Sequence, residues 1–130
     1  MNNSLVSAFN KQFTEFIDDI YRIFPENSDI QTARNMFSTI RMANPKLISI
    51  IWHKHITGPY AEVIERGDID FFLNKDYVND LASPNTDPGG KIAEGIDRLR
   101  EPIKSMGHSN KQISMKYIQN LTKLSQIIHK

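Results

Sequence analysis

No cysteine occurs among the 130 residues. That removes disulfides, thiolate metal sites and cysteine nucleophiles together. Long apolar runs are lacking too. The longest centres on residues 50–52, far short of the roughly 20 residues that cross a bilayer, so no membrane partner is expected. Gly89 and Gly90 follow Pro88 without the spacing of a phosphate-cradling loop. Neither G-x-S-x-G nor S-x-x-K is present to present a serine. The expectation is a protein without catalytic residues, cofactor or metal.

Carboxylates are missing from one end. After Glu101 the chain holds Lys104, Lys111, Lys116, Lys123 and Lys130, with two histidines and no Asp or Glu. Residues 1–101 carry 11 Lys/Arg against 15 Asp/Glu, a balance of −4, while the remainder carries +5. The overall +1 therefore hides a dipolar molecule. A uniformly basic end is drawn to polyanions or to an acidic protein surface. The first residues lack the basic and apolar regions of a secretion signal, so a secreted protein is not expected.

What is present is helical periodicity. Phe9, Phe13, Phe16, Ile17, Ile20, Tyr21 and Phe24 step by three and four, which predicts a long amphipathic helix ended by Pro25. Ser28 with Gln31 reads as a capping box opening a second helix that buries Ile30, Ala33, Phe37 and Ile40. Asn44 and Pro45 predict a third helix over 45–57, broken by Gly58-Pro59. A short helix should follow and close at Gly67. Residues 68–81 suggest one or two short helices, and 82–90 an exposed loop. Ile92, Ile96, Leu99 and Ile103 define a further helix, with a kink near 98–101 imposed by Pro102. Ser109 and Gln112 read as a second capping box, starting a final helix that ends near Ile128. No alternating strand pattern appears. The expected fold is all-α: one domain over 1–130, a compact bundle of about five to seven unequal helices.

Three groups of residues suggest chemistry. His53 and His55 lie two apart, which on a helix turns them about 200° from each other, so they cannot share a metal. His55 is expected at the core edge and His53 nearer solvent. Asp68, Asp70, Asp76 and Asp80 lack the calcium-loop pattern. Asp68 is expected to cap a helix and the others to face water; an enzyme would need at least two of them turned into a cleft. Arg98, Arg100 and Glu101 read as surface charge. On the last helix, Ile113, Tyr117, Leu121, Leu124 and Ile128 form an apolar stripe within about 80°. Lys116, Lys123 and Lys130, spaced by seven, run along its flank. That stripe is expected to pack on the bundle.

Residues 67–72 (GDIDFF) running on to Asp80-Leu81, and residues 115–124 (MKYIQNLTKL), carry a likeness, together with Phe13, Phe16 and the string Leu99-Arg100-Glu101-Pro102-Ile103. Over most of its length the chain resembles small helical proteins of nucleocytoplasmic large DNA viruses, the algal and amoebal giant viruses. The resemblance implies a virion, or a viral factory in the host-cell cytoplasm, and a structural or interaction role without a catalytic motif. The function expected is a non-enzymatic protein that docks on other proteins, with an acidic surface, capsid or other virion components as partners. Docking would use Lys104, Lys111, Lys116, Lys123 and Lys130 with aromatics left exposed at Trp52, Phe71 and Phe72. The alternative is nucleic-acid binding through the basic last helix.

Overall fold

The computed structural model describes residues 3–74 and 88–129, and among them every element is helical. Helix α1, Asn3–Ile23, buries Val6, Phe9, Phe13, Phe16, Ile17 and Ile20 along one face. Each such side chain removed from water contributes about 2 kcal/mol. Helix α2 spans Ser28–Ala43 and buries Ile30, Ala33 and Phe37, while Ile40 is half-buried. Its cap is Asn27, whose side chain accepts the Ile30 N–H at 3.1 Å. Ser28 is therefore the first helical residue rather than the cap. Gln31 turns back to donate to the Pro25 carbonyl at 2.9 Å, so the capping box expected at Ser28 does not form.

Helix α3 covers 47–65 and corrects the break expected at Gly58-Pro59. It is α-helical over Leu47–Trp52, widens to a π turn over His53–Thr57, and resumes over Gly58–Glu65. The Gly58 N–H reaches back five residues to the His53 carbonyl. In a regular helix Pro59 would crowd the carbonyl of His55. The wider turn carries the chain past that point. It also keeps one face inward. Ile48 and Ile64 would stand about 160° apart on an uninterrupted α-helix, yet both are buried to 1%. One extra residue in the turn removes most of that drift. Gly67, at φ 75°, closes the helix, with its N–H on the Ile64 carbonyl at 2.9 Å.

Helix α4, Ile69–Asn74, starts under Asp68, whose carboxylate accepts the Phe71 N–H at 3.2 Å. Helix α5 covers 88–104 as Pro88–Arg98 and Arg100–Lys104, bent at Leu99 where Pro102 forces it. The loop expected over 82–90 lies outside the described residues as far as 87, and Pro88, Gly89 and Gly90 belong to α5. Helix α6, His108–Ile128, starts one residue ahead of the expected cap: Gly107 precedes it, and its carbonyl accepts the Lys111 N–H at 3.0 Å.

The core gathers around Trp52, which meets the rings of Phe9 and Phe13 edge-on at 6.3 and 6.1 Å. Phe37 stands edge-on to Phe13 at 4.7 Å. Helix α6 lies against α1 on one side and α3 on the other. Its buried face is Ser114, Met115, Ile118, Leu121, Thr122 and Ser125. Three of these carry small hydroxyls, two of them bonded to α3, and each has a partner. Ser114 reaches the Met106 sulfur at 3.3 Å, Thr122 accepts from Trp52, and Ser125 meets Thr57 at 2.6 Å. Gln119 adds a bond to the Ile64 carbonyl at 2.9 Å.

Candidate functional site

The face buried by α6 is not the stripe with the strongest apolar signal. At about 100° per residue, the buried residues centre roughly 100° from the stripe formed by Ile113, Tyr117, Leu124 and Ile128. Only Leu121 of that stripe is fully buried. Ile113 is 45% exposed, and Tyr117, Leu124 and Ile128 are half-buried at the bundle edge. Beyond them Ile127 is 52% exposed. Lys116 and Lys123 stand exposed alongside, and pair with no carboxylate among the described residues. On the other flank Phe16 of α1 packs against the Tyr117 ring at 5.6 Å. Burial there raises the Tyr117 hydroxyl above its usual value, and the carboxylates of Asp19 and Glu15 push the same way, against Arg22.

The five lysines do not form one row. Lys104 is on α5 and pairs with Glu101 at 3.3 Å. Lys111 is half-buried at the opposite side of α6. Lys130 lies outside the described residues. Two of the three aromatics expected on the docking surface are in the core. Trp52 is 1% exposed and Phe72 3% exposed, because Trp52 fills the space among α1, α2 and α6 while Phe72 packs edge-on to Tyr60 at 5.9 Å. Phe71 does project, at 50% exposure. Asp68 and Asp70 are both exposed, so these two form no inward carboxylate pair; Asp76 and Asp80 lie outside the described residues.

A buried charge cluster escaped the sequence reading. Arg100, expected as surface charge, is 3% exposed: it points inward, where it pairs with Asp97 and donates to the Phe72 carbonyl at 3.3 Å. Its guanidinium lies over the Phe72 ring at 4.5 Å. His55 donates through Nε2 to both Asp97 oxygens at 3.0–3.1 Å. Bonded to helices α3, α4 and α5 at once, the cluster is an internal clamp. The sequence carried a signal for it: Arg100 stands four residues after Ile96 and three before Ile103, on the apolar face of the same helix.

His53 is half-buried rather than at the surface, its ring 5.2 Å from that of His129, whose Nε2 meets the Ser49 hydroxyl at 3.2 Å. Ser49 donates to the Lys46 carbonyl at 2.9 Å, so it accepts from His129. Among the described residues no three His, Cys, Asp or Glu converge as metal ligands. No helix among them is long and apolar enough to cross a membrane. In a groove of about 300 Å³ between α1 and α2, Arg34 pairs with Asp18 at 2.7 Å, Arg41 donates to Thr14 at 2.6 Å and the Asn10 amide nitrogen donates to the Pro45 carbonyl at 2.8 Å, while the Asn10 Oδ1 is buried without a partner.

No protein-family model matches the chain, and no curated protein or solved structure is detectably similar to it. The outer face of α6 therefore has to be read from its own chemistry.

Proposed function

We propose that this protein is a non-catalytic docking domain that holds another protein on the outer face of α6. The observation that carries this reading is the apolar stripe left half outside the bundle, with Ile113 and Ile127 exposed and Lys116 and Lys123 beside it. Apolar side chains that their own core does not cover, rimmed by charge of one sign, are the makings of a protein–protein contact. A nucleic acid would be held mainly by phosphate contacts, which favour clustered Lys and Arg over isoleucine. The virion or viral-factory setting is supported only by the likeness of residues 67–72 and 115–124 to giant-virus proteins.

A photocrosslinking amino acid at position 127 tests the reading in the expressing cell, with position 42 on exposed Met42 as control. A discrete protein adduct from 127, weak or absent from 42, is expected. Adducts to nucleic acid, or none, would overturn it. Mass spectrometry of purified particles tests the setting separately, since absence of the protein removes the virion and leaves the docking face standing.

A further inference from the structure

Along the outer face of α6, Ile113, Tyr117, Asn120, Leu124 and Ile127 follow steps of four, three, four and three. That is the heptad spacing of a coiled-coil seam along the bundle edge, where Tyr117 and Leu124 are half-buried against the core and Ile113, Asn120 and Ile127 are exposed. Asn120, exposed, sits at the centre of the seam. A polar residue at one seam position fixes register at some cost in stability. With Ile113 and Ile127 as outer seam positions, Lys116 and Lys123 occupy one flanking position of successive heptads, and Lys130 continues the spacing in the sequence.

These charges decide the occupant. A second α6 running antiparallel would set the lysine flank against the same lysine flank. Running parallel, it would meet Ser114 and Leu121, which are buried in its own bundle, and no carboxylate occurs anywhere in 108–128. We infer that the α6 seam takes an amphipathic helix from a different protein, with apolar residues at heptad spacing, a polar residue opposite Asn120, and Asp or Glu along the edge that meets Lys116 and Lys123. Around Tyr117 the other edge meets α1, where Asp19 is already paired with Arg22 and Glu15 is exposed, so that side of the partner helix needs no charge of its own. The inference rests on the docking reading above and adds the shape and charge of what docks.

Two synthetic 21-residue peptides test it, each with leucine at the seam positions and one central asparagine. One carries glutamate and the other lysine at the edge that meets Lys116 and Lys123. Fluorescence anisotropy should show the glutamate peptide bound and the lysine peptide at least about tenfold weaker, the sum of a few exposed ion pairs. The Lys116→Glu/Lys123→Glu double variant should reverse the order. Ile127→Asp should abolish binding of either peptide. All three positions are exposed, so helical circular dichroism and thermal midpoint should stay at wild-type values.

Equal binding of both peptides, or no reversal by the double variant, overturns the acidic helix. So does a concentration-dependent dimer in sedimentation that Ile127→Asp dissolves, since the occupant would then be a second copy. A discrete protein crosslink at 127 with neither peptide bound removes the helix and keeps the docking face. Loss of both crosslink and peptide binding removes the two readings together.

Discussion

Trp52 donates its indole N–H to the hydroxyl of Thr122 at 3.2 Å, joining α3 to α6 across 70 residues of sequence. Both partners are buried, so the bond has no water to replace it. Thr122→Val keeps the shape and removes the acceptor. It should destabilise the fold by about 1–3 kcal/mol, the cost of an unmet buried donor. Urea unfolding followed by the emission of this sole tryptophan checks it. Thr122→Ser should recover most of the loss.

The clamp at Asp97 should be stronger. Asp97→Ala leaves the Arg100 guanidinium inside without its carboxylate and takes both acceptor oxygens from His55. A loss of about 3–5 kcal/mol is expected from breaking a buried pair on one side. Asp97 bonds to His55 and Arg100 and pairs with neither Lys116 nor Lys123, so material that still folds at low temperature should bind the glutamate peptide as wild type does.

Gly95 sets two rules against each other. Alanine there should favour the helix by about 1 kcal/mol on propensity. A Cβ, however, would stand 2.8 Å from the Met36 methyl and 2.9 Å from the Phe37 ring. Met36 can swing aside, but Phe37 is held against Phe13. Overpacking of this kind costs about 1–3 kcal/mol, so Gly95→Ala should lower the thermal midpoint.

His129 gives the fold a pH dependence of known sign. Burial holds its imidazole below the ordinary 6.5, and the neighbouring His53 adds to this against the contact with Ser49. The unfolded chain then takes up the proton first. Stability from this group is complete above pH 6.5 and declines as pH falls through the lower folded value. Comparing urea midpoints between pH 8 and 5 should show a steeper acid-side fall in wild type than in His129→Gln.

Much of the fold was legible because its punctuation is local. Pro25, Gly67 and Pro102 act through their own backbone, and the face of α1 is written in phenylalanine and isoleucine. The buried face of α6 was not legible. Ser114, Thr122 and Ser125 are polar by any hydropathy scale, yet small hydroxyls fit a close helix contact when a partner accepts or donates. The stripe of Ile113, Tyr117, Leu121, Leu124 and Ile128 outshines them, and most of it packs on the bundle as expected: Leu121 is in the core, and Tyr117, Leu124 and Ile128 lie against it. What the core leaves outside, Ile113 together with Ile127, marks the candidate site. Phe72 and Arg100 differ from this: Phe72 stands three residues after Ile69 and Arg100 four after Ile96, so helical spacing turns both toward buried faces, and the charge of Arg100 hides its place.

The π turn at 53–57 gives that segment a residue to spare. It holds one more than regular helical steps need, so losing one would close the turn to α steps and leave Tyr60 and Ile64 inward and the end of α3 beside Gln119. Pro59 would then crowd the carbonyl four residues before it, at a cost of about 3 kcal/mol. Deleting exposed Lys54 should therefore weaken the domain by roughly that much without unfolding it. Deleting a second residue, which rotates everything after it by about 100°, should unfold it.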